Sequence, residues 1–260
     1  MFVEKEDSLE WLHHVRLYEL KNSINNINSD LYDKEILEIG SGTGFQLNIL
    51  REYSSKAVGI DVKSSAYQEK VSDIIIYDGQ NIPFPDSSFD VVFSSNVLEH
   101  IKNINQFHNE VKRVLKKNGI CIHILPSHYW RFWTSLFHYP WVFYLLMHTV
   151  FQLSVKSDNK SSKDNKQKAI SFSKAFRMAV APRRHGERGN FMTEIYYFHP
   201  IWWKKNFIEN GWNVENVFQT GLFYWSHDLF RFKISIPYRQ ALSKYFGSAC
   251  YSYILRKKGD

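Results

Sequence analysis

A parallel, doubly wound α/β sheet is the fold class that this 260-residue chain predicts, and three observations carry it. Short apolar runs alternate with amphipathic stretches between residues 35 and 125, the pattern of strands joined by crossover helices. Three glycines at every second position, Gly40, Gly42 and Gly44, directly follow the first apolar run. With 44% hydrophobic and 23% charged residues, the composition is that of a folded globular chain and excludes wholesale disorder or collagen-like structure.

The elements follow in order. Residues 8–27 place Leu9, Leu12, Leu20, Ile24 and Ile27 at near-helical spacing behind Ser8 as N-cap. Residues 35–39 form a short buried strand, 45–53 a helix, 57–60 a second strand and 73–77 a third. Residues 89–93 make the fourth strand, 104–117 an amphipathic helix and 119–125 the fifth strand. Further on, 200–210 reads as a helix, 212–218 as a strand and 249–255 as a closing strand. This divides the chain into an N-terminal helical cap (1–30), a ligand-binding core (31–125), an insertion (126–199), and a C-terminal helix with closing strands of the same sheet (200–260).

The insertion is where the composition changes. Residues 128–151 hold ten aromatics, and residues 154–190 carry ten Lys/Arg against three Asp/Glu, which accounts for the whole net charge of +7. Residues 132–155 are apolar over roughly a membrane-spanning length, but His138, Pro140, His148 and Gln152 interrupt them. Two readings stay open: a lid helix pair over the active site, or an interfacial helix giving peripheral membrane contact through 128–190, with Lys156, Lys160, Lys163, Lys166 and Lys168 toward anionic lipid. Nucleic acid is disfavoured, because aromatics and basic residues sit in separate blocks rather than interleaved. Two cysteines, Cys121 and Cys250, exclude a disulfide framework or a four-cysteine zinc site and fit a cytoplasmic setting. The charged stretch from Met1 to Asp7 reads as no secretory leader.

The glycine loop carries the chemistry. In Ile36-Leu-Glu-Ile-Gly-Ser-Gly-Thr-Gly44 an acid, Glu38, lies in the strand just before the loop. A carboxylate there is unhelpful to a pyrophosphate and favourable to a cation, and the glycine spacing also departs from the dinucleotide fingerprint. Asp61 ends the second strand, where a carboxylate can accept both hydroxyls of a ribose. Asp78 follows the third, where it can accept from an adenine amine. A ribose, an adenine and a cationic amino acid add up to S-adenosyl-L-methionine. The plain alternatives are an ordinary ion pair for Glu38 and turn positions for Asp61 and Asp78.

Residues 35–125 resemble the class I S-adenosylmethionine-dependent methyltransferases. The resemblance rests on five collinear blocks: Leu37-Glu-Ile-Gly-Ser-Gly-Thr-Gly44, Gly59-Ile-Asp-Val62, Tyr77-Asp-Gly-Gln-Asn-Ile-Pro-Phe-Pro-Asp-Ser-Ser-Phe-Asp90, Ser94-Ser-Asn-Val-Leu-Glu-His100 and Arg113-Val-Leu-Lys-Lys-Asn-Gly119. It implies a Rossmann-like seven-stranded sheet whose last strand is antiparallel, with the cofactor over the carboxyl ends of the first four strands. It also implies that Gly40, Ser41, Gly42 and Gly44 form a backbone cradle, with Glu38 at the methionine end. Asp61 and Val62 would flank the ribose, Asp78, Gly79 and Gln80 would border the adenine, and Ser94 and Asn96 would line the methionyl side. The short connection between Asp61 and Asp78 departs from relatives with a full helix there.

Methyl transfer from a sulfonium is an in-line displacement that depends mainly on positioning. A sugar hydroxyl also needs a general base, whereas a phenol or carboxylate does not. Candidates are His100, beside Glu99 after the fourth strand, His128 after the fifth, and His185, near Glu187 in a glycine-flanked polar patch. His123 alternates with apolar neighbours and reads as a core histidine. His185 and Glu187 are too few for a metal site, so no metal is expected. The expected function is O-methylation of a hydroxyl on a glycan or lipid-linked saccharide precursor. The alternatives are a phenolic, quinone-like or carboxylate metabolite as acceptor, or a noncatalytic S-adenosylmethionine-binding scaffold. A nicotinamide dehydrogenase is opposed by the glycine spacing. Oligomeric state is left open.

Overall fold

The computed structural model describes residues 5–27, 30–63, 73–157, 182–226 and 231–259. Seven strands form one sheet in the order β3-β2-β1-β4-β5-β7-β6. They are β1 (Glu35–Ile39), β2 (Lys56–Val62), β3 (Ile74–Tyr77), β4 (Phe89–Ser95), β5 (Leu115–Pro126), β6 (Trp212–Gln219) and β7 (Cys250–Lys257). The neighbouring pairs among β1 to β5 are parallel, while β7 lies antiparallel between β5 and β6. The last strand therefore has the direction that the family resemblance implies.

Side-chain alternation along β1 divides the core into two layers. Leu37 and Ile39 pack with Phe107, Val111, Trp203, Phe207 and Tyr253, from helices α3 (Ile104–Val114) and α6 (Pro200–Glu209) and from β7. Ile36 packs on the other face with Leu20, Leu47 and Leu50, from α1 (Lys5–Asn25) and α2 (Phe45–Tyr53). Glu38 shares the face of Ile36, which directs its carboxylate toward the layer that holds α1 and the glycine loop.

The proline-rich loop after β3 is fixed from a distance. Arg113, on α3, donates to the carbonyls of Ile82 (2.8 Å) and Phe84 (2.7 Å) and pairs with Glu110 and Asp86. Glu110 in turn accepts from the Ile82 N–H at 2.8 Å. Two of the sequence blocks thus act as one clamp.

The sequence and the structure differ in three places. The fifth strand begins at Leu115, not near residue 119, because the pairing shifts between Phe89 and Val91 and the chain turns through Asn118 at φ 59. A Cβ at Gly119 would lie 2.9 Å from the Asp90 carbonyl, so this turn needs its glycine. One helix α4 (His128–Ser157), with Pro140 inside it, leaves β5; the rest of the helix pair expected for the insertion falls at 158–181, outside the described residues. Ser127 caps this helix by accepting from the Trp130 N–H at 3.0 Å. Two helices between β5 and β7 escaped the sequence reading: a single turn α5 (Glu194–Tyr197), and α7 (Ile236–Phe246), which opens with a proline in its first turn. The connection 64–72 and the lysines Lys160, Lys163, Lys166 and Lys168 lie outside the described residues.

Candidate active site

The carboxyl ends of β1, β2 and β4 converge on the glycine loop. Gly40, Gly42 and Gly44 have φ of 78, 53 and 75°, a left-handed backbone that strains any residue with a side chain. A Cβ at Gly40 would also collide with Val97, so the loop lies against the segment after β4. Gly40 and Ser41 donate their N–H groups to the Ile60 carbonyl at 2.8 and 3.1 Å. Asp61, buried, accepts from the Gly42 N–H at 2.8 Å and from the Val62 N–H at 2.7 Å. The carboxylate at the end of β2 thus braces the cradle itself.

Glu38 is 2% exposed, and its Oε2 has no hydrogen-bond partner among the described residues. Burial pushes its carboxyl up to about 7, and the Asp61 charge adds to the shift. A buried acid with an open acceptor beside a glycine loop calls for a positive group. That donor set fits the ammonium and sulfonium of S-adenosylmethionine and opposes a pyrophosphate.

At the tips of β2 and β3, Val62 and Gly79 approach closely, since a Cβ at Gly79 would lie 3.1 Å from the Val62 Cγ1. Asp78 sits in an exposed turn, where its Oδ1 accepts from the N–H groups of Gln80 and Asn81, both at 2.7 Å. The Asn81 side-chain amide donates to Oδ2 at 2.7 Å. These bonds hold the carboxyl below the usual range, and Oδ2 keeps one lone pair for a further donor. Gln80 is exposed in the same turn.

Beyond β4, Ser94 is buried with its hydroxyl 2.8 Å from the His123 Nδ1, directed into the sheet. His123 is buried beside Phe207, and burial lowers its pKa to about 3. Asn96 has a left-handed backbone (φ 56) and donates its N–H to the Ile124 carbonyl. With its amide oriented to satisfy both groups, the Asn96 oxygen accepts from Arg16 at 2.6 and 3.1 Å. Arg16 arrives from α1, paired to the buried Glu19 at 2.7 Å. From the same helix, His13 stacks on Phe45 at 4.1 Å and lies 3.2 Å from the Thr43 hydroxyl. The sequence reading missed Arg16 and His13, because nothing in the local pattern of α1 says what lies beneath it.

The third group combines a turn and the returning end of the insertion. Glu99 lies in the 3-10 turn Leu98–His100; its side chain is fully buried, and neither carboxylate oxygen has a hydrogen-bond partner among the described residues. Its Oε1 is 3.7 Å from the His100 Nε2 and 3.9 Å from the His185 Nε2. His185 is held by its backbone, since the N–H groups of His185 and Gly186 donate to the Glu194 Oε1 at 2.6 and 2.7 Å. Glu194 pairs with Arg131 at 3.0 Å, both side chains buried, and the Glu187 N–H donates to the Glu99 carbonyl at 2.8 Å. Burial pushes the Glu99 carboxyl up to about 8 and lowers the His185 imidazole to about 3, helped by His100, Arg131 and Arg16. His100 is lowered too, mainly by desolvation.

His100 and His185 are therefore neighbours, with Glu99 between them. His128 packs elsewhere, against His199 (4.4 Å between ring centres), Tyr129 and Tyr251. Glu187, expected beside His185, pairs with Arg184. The expectation of no metal rested on His185 and Glu187 alone, whereas the fold brings Glu99 and His100 to the same place.

The family model described as a methyltransferase domain matches residues 37–123. An uncharacterized methyltransferase of Bacillus subtilis, YcgJ, is 32% identical over 107 residues, covering 37% of this chain and 42% of that protein. A sterol 4-C-methyltransferase of Caenorhabditis elegans, strm-1, is 32% identical over 32% of this chain and 28% of its own length. The chain thus spans under half the length of these curated relatives. Among solved structures, an S-adenosylmethionine-dependent methyltransferase from Mesorhizobium loti superposes with a TM-score of 0.53 at 12% identity, covering 92% of this chain and 98% of that one. One from Archaeoglobus fulgidus gives 0.51 at 15% identity, covering 94% of both chains. These two likenesses concern the fold alone. Sequence blocks, strand order and family match agree: residues 37–123 match the methyltransferase-domain family, within a seven-stranded sheet of the kind that the class I resemblance implies.

Proposed function

We propose that the chain transfers a methyl group from S-adenosylmethionine to a hydroxyl of a saccharide-type acceptor. The observation that carries this reading is the pairing of two features at one sheet edge: a cradle complementary to a cation, and a buried Glu99 flanked by two histidines. When bound, the cofactor supplies an electrophilic methyl carbon. Glu38 would face its ammonium, Asp61 its ribose, and Asp78 with Val62, Gly79 and Gln80 its adenine, while Gly40, Ser41, Gly42 and Gly44 give backbone room. Asn96, steadied by Arg16, would line the methionyl side, whereas Ser94, its hydroxyl bonded to His123, could offer only its backbone there.

The acceptor side takes a proton. A sugar hydroxyl needs a base, and base catalysis supplies about 10²- to 10⁴-fold. Glu99, at about 8, is poised near neutrality to take that proton, and the His185 Nε2 stands 3.9 Å from its Oε1. His128, with its buried Nδ1 unpartnered and its pKa lowered to about 4, is the second candidate.

The face of α4 supports a membrane-associated acceptor such as a lipid-linked saccharide. Phe132, Leu136, Tyr139, Phe143 and Met147 are all exposed and recur at helical spacing, giving an apolar stripe on one side. No helix among the described residues is long and apolar enough to cross a membrane, so the contact proposed is peripheral. The test is transfer of labelled methyl from S-adenosylmethionine into an extracted saccharide-lipid fraction, with Glu99→Gln and His185→Gln beside the wild type. Turnover should fall about 10²-fold or more in Glu99→Gln while cofactor affinity holds. Label appearing only in phenolic or carboxylate products, with Glu99→Gln at full rate, would overturn the saccharide reading.

A further inference from the structure

Glu99, His100 and His185 each offer one ligand atom, and those atoms lie within 4.8 Å of one another. Two come from the turn after β4 and one from a segment 85 residues later in the chain, so the fold itself gathers them. From this geometry we propose that the three side chains form a binding site for a divalent transition-metal ion of the zinc type.

The donor set matches that chemistry. One carboxylate and two imidazoles are the ligands of open, three-residue zinc sites, which leave coordination positions for water or substrate oxygen. Ligand atoms around a tetrahedral zinc sit roughly 3.3 Å apart, given bonds of about 2.0–2.1 Å. The Glu99 separations of 3.7 and 3.9 Å need only a small contraction, and the two histidine nitrogens, within 4.8 Å, close through rotation of the exposed His100. Imidazole ligands favour zinc over magnesium, which prefers oxygen.

An independent observation points the same way. The Glu99 side chain is wholly buried, its Oε1 lies within 3.9 Å of both rings' Nε2, and neither oxygen has a hydrogen-bond partner among the described residues. A buried polar group without a partner is costly, on the order of 1–3 kcal/mol and more when charged. A cation between Glu99 and the two rings would satisfy a carboxylate and two neutral imidazoles together.

The surrounding charges permit it. Arg131 faces His185 but is paired to Glu194, and Arg16 is paired to Glu19. Arg188 acts on Glu99 while donating to the carbonyls of Leu98 and Ile101. Glu187 faces His100 and adds negative charge. Trp130, 4.7 Å from the His185 ring centre, and Phe198 shield one side. With an ion bound, Glu99 serves as a ligand instead of as the free base: the ion would hold an acceptor hydroxyl and acidify it, so that the proton leaves to water before the oxygen attacks. That role rests on the methyl-transfer reading, whereas the binding itself does not.

The test is calorimetric titration of chelator-stripped protein with Zn²⁺, Mn²⁺ and Mg²⁺, alongside the metal content of the protein as purified. One Zn²⁺ per chain is expected, with Mg²⁺ much weaker. Affinity should drop at least about tenfold in Glu99→Gln, His100→Gln and His185→Gln, and hold in His14→Gln. Because Glu99 is buried, the exposed His100 carries the test should Glu99→Gln not fold. No binding of any of the three ions, or zinc affinity unchanged in His100→Gln and His185→Gln, would overturn the site. Zinc bound through these residues in a chain that transfers no methyl group would keep the site and overturn the transfer reading instead.

Discussion

Glu194 is the residue on which the acceptor side depends for its shape. Its side chain is fully buried, as is that of Arg131, and the two lie 3.0 Å apart. One carboxylate oxygen also takes the N–H groups of His185 and Gly186. Glu194→Gln keeps the size of the side chain and removes the charge, which strands the Arg131 guanidinium in the interior. Removing one member of a buried pair costs about 3–5 kcal/mol. Arg131 retains bonds to the Phe191 and Arg183 carbonyls at 3.2 and 3.1 Å, which places the expected loss near the lower bound, about 3 kcal/mol. In a chain of this size that corresponds to a melting temperature lower by roughly 6–12 °C. Urea unfolding should give the same loss, and hydrogen exchange should speed up at the His185 and Gly186 amides. Adding Arg131→Met should recover part of the stability, since the stranded charge is then gone. A loss under about 1 kcal/mol, with those amides still protected, would refute the reasoning.

Two further outcomes follow from the same geometry. The free Glu38 carboxyl titrates at about 7 rather than at 4.5, so in the folded chain it binds protons that the unfolded chain has lost. Its contribution to stability therefore falls as pH rises from 4.5 to about 7. A cation beside it pulls the proton off, so S-adenosylmethionine affinity should strengthen from about pH 5.5 to about pH 7.5, and Glu38→Gln should flatten the profile; calorimetry at stepped pH decides, and an identical slope in both proteins counts against the assignment. The exposed stripe on α4 should carry the chain up with liposomes in flotation, and Phe132→Ser with Phe143→Ser should abolish it; no flotation of the wild type on neutral or anionic vesicles returns α4 to a lid over a water-borne acceptor.

What could be read from the sequence was what the chain does locally. The glycine triplet, the acid before it and the aspartates after β2 and β3 are contiguous signals, because a strand end and a turn need particular residues within a few positions. The Arg113 block was visible as a motif, but its work, clamping the carbonyls of Ile82 and Phe84, is tertiary. The acceptor side was hidden for the same reason. His185 was picked for its glycine-flanked patch and matched to nearby Glu187, whereas its partner is Glu99, buried on another element. Arg16 and Glu194 gave no local sign, since a charged residue in a helix usually faces water and only packing shows that these do not. α4 continues through Pro140, because a proline within a helix bends it without always ending it.

The measurement closest to the central claim is calorimetric titration of the wild type and Asp61→Ala with S-adenosylmethionine, its demethylated product and NAD. Asp61 braces the Gly42 N–H and stands where the ribose belongs, so its loss should weaken both sulfur compounds by about tenfold or more. The account predicts one site per chain for each sulfur compound, weakened together in Asp61→Ala, and no heat from NAD. Tight NAD binding with no response to S-adenosylmethionine would contradict it.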